Sequence, residues 1–161
     1  GAMVSAEDMG NSDGEENTVK VLVAVDGSPP CERAIQFVTR IGWPAGSRMI
    51  VANVMPSAVP ADPSDFDSAD VLAQQWCHRA SVVTCAQNQL RNAGLSTERR
   101  MVEGDAREQL LQLVDSERVD LLVMGSRGHS GLTQSMLGSV SSHAVGHASC
   151  SVLVVKQTTR R

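Results

Sequence analysis

The sequence predicts a single doubly wound α/β domain, with a five-stranded parallel sheet and helices on both faces. Three observations predict it. Five short strand-like runs recur at residues 19–26, 48–55, 97–102, 120–124 and 151–156, most of them rich in Val, Ile and Leu. The stretches between them carry apolar residues at helical spacing, so strand and helix alternate as β-α-β-α-β-α-β-α-β, which implies parallel pairing with crossover helices. The length of 161 residues fits one such domain.

Taken in order, VKVLVAVD is a β-branched run that reads as a buried strand. Ser28 follows as an N-cap with Pro29 at the first helical position. Ala34, Ile35, Val38 and Ile41 give that helix its apolar face, and Gly42 is placed to end it. RMIVANVM is the second strand. Residues 56–67 hold three prolines and several Asp and Ser, the composition of a long loop. From about residue 69 to 92, Leu72, Trp76, Val83 and Leu90 mark the inner face of a long helix that Gly94 closes, with Trp76 expected in the core. Residues 97–102 form the third strand. Asp105 opens the next helix, with Glu108 completing a capping box and Leu110, Leu113 and Val114 facing inward. Residues 120–124 are the fourth strand, 139–148 the last helix, and SVLVVK the fifth strand.

The ends of the chain differ in kind. Gly1-Ala2-Met3 reads as the scar of a removed tag, and the acidic, Gly- and Ser-rich stretch to residue 17 reads as a disordered tail. The domain is expected over residues 18–157, with 158–161 as a short C-terminal tail.

Composition excludes several functions. The formal net charge is −4 and there is no Tyr, so neither a broad basic surface nor stacking aromatics are available for nucleic acid. No apolar run reaches the roughly 20 residues of a membrane span. The four cysteines, at 31, 77, 85 and 150, contain no CxxC pair. Cys77 and Cys85 lie about 12 Å apart along one helix, too far for a disulfide. Free thiols in a reducing cytoplasm are the plain expectation.

The most informative stretch follows the fourth strand: Gly125-Ser126-Arg127-Gly128, nine residues, then Gly138-Ser139 at a helix start. Exposed backbone N–H groups at such a loop and helix start suit an anion, most often a phosphate. Doubly wound sheets bind ligands beyond the carboxyl ends of the strands, where strand order reverses. With the first and fourth strands adjacent at that reversal, Asp26-Gly27-Ser28 and the glycine loop line one crevice.

VLVAVDGS, VEGDA with LLVMGSRG, and the Gly-x-x-Gly, nine-residue, Gly-Ser spacing before ASCSVLVVK occur in an order that resembles the universal stress protein family, over about residues 19–156. The resemblance implies strand order 3-2-1-4-5 in an adenine nucleotide α-hydrolase-like fold. It also implies a homodimer and, in the branch that keeps the glycine spacing, ATP in the crevice; Mg²⁺ on the phosphates is expected with the ATP. Carried over to this sequence, Asp26, with Ala24 beside it, lies near the ribose and adenine, and Val54 meets the adenine through its backbone. Met124 and Gly125 flank the sugar and phosphates. Gly128, Gly138, Ser139 and Val140 surround the phosphates, and Ser126, Arg127 and His129 belong to the same loop. Many relatives have Pro where Ser151 stands, a departure away from the nucleotide pocket.

Simpler roles stand beside these. The glycines can be turn formers with positive φ, and Ser139 can be a plain N-cap, a role compatible with phosphate contact. Asp26 can cap the following turn. Arg127 and His129 suit phosphate and solvated loop positions equally. His143 and His147, four apart, lack a nearby third metal ligand, and Cys150 suits packing better than nucleophilic chemistry.

The sequence has no GxxxxGK[ST] motif and no GxGxxG after the first strand. Without the phosphate-binding lysine, and with no paired carboxylates or Ser-His-Asp arrangement, efficient ATP hydrolysis is not expected. The reading is a nucleotide-binding regulatory module. The alternatives are a slow ATPase or phosphotransferase, an AMP or cyclic AMP binder, and a structural dimer. In the 3-2-1-4-5 order the fifth strand lies at an edge. Its run Val152-Leu153-Val154-Val155 is an aggregation hazard unless paired, which predicts dimerisation there.

Overall fold

The five strands form one parallel sheet in the order β3-β2-β1-β4-β5, as expected. In chain order the elements are β1 (Lys20–Ala24), α1 (Pro29–Arg40), β2 (Arg48–Met55), α2 (Phe66–Asn92), β3 (Ser96–Glu103), α3 (Ala106–Ser116), β4 (Leu121–Gly125), α4 (Ser139–His147) and β5 (Ser151–Val155). This is a computed structural model describing residues 17–57, 66–126 and 137–157, with side chains described from residue 69 onward in α2. Most of both expected tails, the middle of the 56–67 loop, and Arg127, Gly128 and His129 lie outside the described residues.

Alternate residues of each strand supply two cores, one on each face. Val21, Val23, Met49, Val51 and Val123 pack with Ala34, Ile35 and Val38 of α1 and with Val83, Ala86 and Leu90 of α2. Leu22, Ile50 and Leu122 pack on the other face with Leu110, Leu113 and Val114 of α3 and Ala144 of α4. Burial on both faces is why β1, β2 and β4 read as continuous apolar runs. β1 is central, with Val23 in register with Val51 of β2 and Val123 of β4.

Three expectations change. Trp76 is 40% exposed and not core. At about 1.5 Å per residue the 27 residues of α2 run about 40 Å, while the eight residues of β2 span about 26 Å. The helix outruns the sheet, and among its described side chains the first buried one is Val83. Phe66 also starts α2 earlier than Ala69. Gly42 is not a left-handed cap, because α1 ends on Ile41 in extended conformation (φ −82°, ψ 136°). Gly94 does close α2, at φ +85°. Leu95 N–H donates to Leu90 O (3.1 Å) and Gly94 N–H to Arg91 O (2.9 Å), the paired bonds of a Schellman motif.

No helix among the described residues is long and apolar enough to cross a membrane. The four cysteines are free. Burial pushes the thiol of Cys31 up to about 11, so it stays protonated and inert near neutral pH. Cys150 is half-buried and packs against the α3/α4 core, as expected.

Candidate functional site

The site begins where β1 and β2 part. Val25 N–H donates to Ala52 O (2.8 Å), and Gly104 N–H to Met55 O (2.8 Å). Even-numbered residues of β2 therefore turn their peptide groups toward β1, and odd-numbered ones toward β3. At Val54 there is no longer a strand opposite, because Gly27 at φ +79° has turned the chain into α1. The N–H and C=O of Val54 face the crevice side by side.

Asp26 organises that turn. Its Oδ1 accepts from Ser28 N–H (2.9 Å) and from the Ser28 hydroxyl. Ser28 in turn caps α1, accepting from Cys31 N–H at 3.4 Å, with Pro29 and Pro30 in the first turn. The turn-capping role of Asp26 is therefore real, and it leaves the residue lining the crevice.

Gly125 ends β4 directly beneath α1. Its φ is not positive, so turn chemistry does not explain it. A Cβ there would sit 2.8 Å from both Cys31 N and Pro30 C, closer than real Cβ atoms come. Glycine is needed for close approach, which brings the Ser28 turn onto the end of β4.

Beyond Gly125 the chain is pinned at both ends of the glycine loop. Gly138 N–H donates to Ser126 O (2.7 Å), and Ser126 N–H to Val155 O (2.9 Å). The hydroxyl of Ser141, 2% exposed, donates to the same Ser126 O at 2.8 Å. This knot holds the N-terminus of α4 beside the ends of β4 and β5. Gly138 is the N-cap of α4 and provides no side-chain cap, and the first turn holds no acidic residue. Ser139 is therefore the first helical residue and not the cap. Two of the other helices that begin at this rim have side-chain caps: Ser28 caps α1, and Asp105 caps α3 by accepting from Arg107 and Glu108 N–H. The Arg107 side chain bonded to Asp105 holds that carboxyl below its usual range. Among the described residues no side chain caps the first-turn amides of α4, the kind of helix start that suits an anion.

Together these pieces enclose a cleft of about 280 Å³. Ala24 and Ala52, in register on adjacent strands, form its floor. Val54, Leu110, Met124 and Val140 provide apolar walls, while Asp26, Ser28, Ser139 and Ser141 provide polar atoms. Ligand clefts usually measure about 300–1,000 Å³, and this one, bounded by the described residues, is near the lower end.

Of the predicted site residues, the cleft gathers Ala24, Asp26, Val54, Met124, Gly125, Gly138, Ser139 and Val140. Ser126 stands behind it as the anchor of the loop. Ser28 lines the cleft beside Asp26, as the sequence placed it, while Val25, Ala52, Ala106, Leu110 and Ser141 were not singled out as lining residues. Ser141 left a trace, as a polar residue at a core-facing position of α4. His143 and His147 stack at 4.2 Å, and His147 Nδ1 donates to the His143 carbonyl at 3.0 Å. Among the described residues no three His, Cys, Asp or Glu side chains gather as a metal site.

A sequence profile described as the universal stress protein family matches residues 18–156. The chain belongs to the universal stress protein family. Universal stress protein Rv1636 of Mycobacterium tuberculosis is 30% identical over 145 residues, covering 86% of this chain and 96% of its own. The structure of MJ0577, a protein of Methanocaldococcus jannaschii, superposes with a TM-score of 0.76 at 23% identity, over 89% of this chain and 99% of that one, a likeness of fold. A universal stress protein solved in complex with cAMP superposes with a TM-score of 0.67 at 26% identity, over 88% of this chain and 99% of the other. The sheet order of this universal stress protein is the one that the resemblance implied.

Proposed function

We propose that this universal stress protein binds an adenine mononucleotide in the cleft and acts as a nucleotide-dependent regulatory module. One observation carries the reading: a single cleft places the peptide edge of Val54, which no strand covers, opposite the N-terminus of α4, which has no side-chain cap among the described residues. A neighbouring N–H and C=O match the ring nitrogen and amino group along one edge of adenine, acceptor to donor and donor to acceptor. The α4 amides suit the phosphate. Between them, Asp26 offers carboxylate oxygens that only accept hydrogen bonds, the right partner for ribose hydroxyls.

ATP is the proposed ligand. Mg²⁺ would enter on its phosphates, since it keeps most of its water and uses substrate oxygens in such sites. Ser139 and Asp26 are the side chains nearest in character to its oxygen preference. The loop residues Arg127, Gly128 and His129 are proposed to complete the phosphate site. A cyclic or 5′-monophosphate is the second reading, favoured by the cAMP complex of the relative above and by the small cleft. The reducing cytoplasm is the proposed location, consistent with four free cysteines.

Calorimetric titration with ATP, AMP and cAMP, followed by a phosphate-release assay, tests the proposal. Saturable binding of one nucleotide per chain, without multiple turnovers, is expected. Steady phosphate release would instead favour the enzymatic alternative. Failure of all three nucleotides to bind at millimolar concentration would overturn the nucleotide reading.

A homodimer through β5 is proposed with it. β5 lies at the sheet edge beyond β4, and Val152 to Val155 are each half-buried in the single chain. Pairing with a second copy across a two-fold axis would cover that edge. Light scattering is expected to give twice the chain mass, and a monomer at micromolar concentration would refute the dimer.

A further inference from the structure

We infer that Arg79 is a positioning residue for the base-reading peptide of Val54, and that it sharpens the preference of the cleft for an adenine edge over a 6-oxo purine edge. The inference rests on the nucleotide reading above and adds a residue to it. Where β1 leaves the sheet, the carbonyls of Val25 and Val54 both lose the strand partner that continued pairing would give them. Two side chains replace that partner. Asn53, 2% exposed, donates from Nδ2 to Val25 O at 2.7 Å. Arg79 donates from Nη1 to Val54 O at 3.0 Å, and the same nitrogen lies 3.3 Å from Asn53 Oδ1. A hydrogen-bonded chain therefore runs from α2 across the split between the two strands.

Arg79 does this from behind. Val51 and Met49, on the same side of β2 as Asn53, pack into the core shared with α2. Ala52 and Val54 face the other core. Arg79 is accordingly not among the lining residues of the cleft. A carbonyl oxygen has two acceptor sites. Arg79 fills one with a bond from a charged donor at 3.0 Å, stronger than one from a neutral group, and leaves the other for a ligand donor. The Val54 peptide is thereby held at a fixed angle to the cleft. Adenine presents an amino donor to that carbonyl. Hypoxanthine presents an oxygen, and a carbonyl that cannot turn away repels it. The Met55 N–H of the same peptide is turned toward β3, so without Arg79 that plane is held from one side only, and the penalty against the 6-oxo edge relaxes.

The test is calorimetric titration of the full chain with AMP, IMP and ribose 5-phosphate, in wild type, Arg79→Met and Arg79→Lys. Wild type is expected to prefer AMP over IMP by about tenfold, the scale of one hydrogen bond. Arg79→Met is expected to narrow that ratio to about threefold or less, with ribose 5-phosphate affinity unchanged. Arg79→Lys keeps a charged donor but not the planar fork, and is expected to fall between them. It also serves as the readout if Arg79→Met does not fold. An unchanged AMP-to-IMP ratio in the folded variants overturns the inference. So does equal weakening of all three ligands, which is what a merely structural arginine would give. Wild type that binds AMP and IMP equally overturns it as well. Wild type that binds none of the three removes the nucleotide reading itself, a separate and recognisable result.

Discussion

Gly125→Ala is expected to lower the melting temperature by roughly 6–12 °C and to weaken nucleotide binding at the same time. The added Cβ would lie 2.8 Å from Cys31 N and Pro30 C and 2.9 Å from Pro30 Cβ. Two of these three neighbours are backbone atoms in the first turn of α1, which cannot swing aside as a flexible side chain can. Pro29 and Pro30 stiffen that turn further. The helix must shift bodily, which separates its apolar face from Val23 and Val123 and pulls the Ser28 cap away from Asp26. Overpacking of this kind costs about 3 kcal/mol, and a chain of this size loses about 2–4 °C per kcal/mol. Gly42→Ala is the control. A Cβ at Gly42 meets nothing within 4 Å, and its φ is not positive, so its melting temperature is expected to stay within about 2 °C of wild type. Equal melting temperatures for the two variants, followed by differential scanning calorimetry, would show that α1 does not rest on β4 in this way.

The contrast between these glycines shows what a sequence can and cannot reveal. Gly125 was legible as important because it ends a strand and opens a glycine-spaced loop. Its physical reason was not legible, since that depends on how closely α1 approaches β4. Gly94 was legible for the right reason, because a helix end needs the left-handed conformation and glycine adopts it without strain. Gly42 had the same local context and did not need it. Helix termini are local features until the chain chooses an extended exit, and no neighbour of Gly42 announces that choice.

The same division runs through the site. Asp26, Met124, Gly138 and Ser139 were found because each sits at the end of an element whose type the pattern gives. Ala52 and Ala106 were not found, because an alanine in an apolar run looks like any packing residue. Only the register that sets Ala24 beside Ala52 turns two small side chains into a floor. Ser141 required the long-range bond to Ser126, and Arg79 required the divergence of two strands that are 28 residues apart at their Val25–Asn53 bond. Trp76 erred in the opposite direction. Helical periodicity correctly gave the face of α2 but said nothing about where the sheet beneath it ends.

Ala24→Leu is expected to lower nucleotide affinity by at least about thirtyfold, about 2 kcal/mol, while leaving the melting temperature within about 3 °C of wild type. The two effects separate because of where Ala24 sits. Its neighbours along β1 are packed on both faces, and Leu22 is fully buried, so a larger side chain there would overpack the core. Ala24 is only partly buried and faces the cleft, which is space that folding leaves unfilled. A leucine side chain can enter that space and meet Val54, Leu110 and Met124, burying apolar area that offsets its lost side-chain freedom. Stability is then nearly unchanged, but the volume a base would occupy is gone. A folded Ala24→Leu protein with wild-type affinity would mean that the nucleotide sits elsewhere. The floor of paired alanines contributes no contact that other residues could not make. Its contribution is the absence of side-chain volume at the one level of the sheet where the Val54 peptide faces open space.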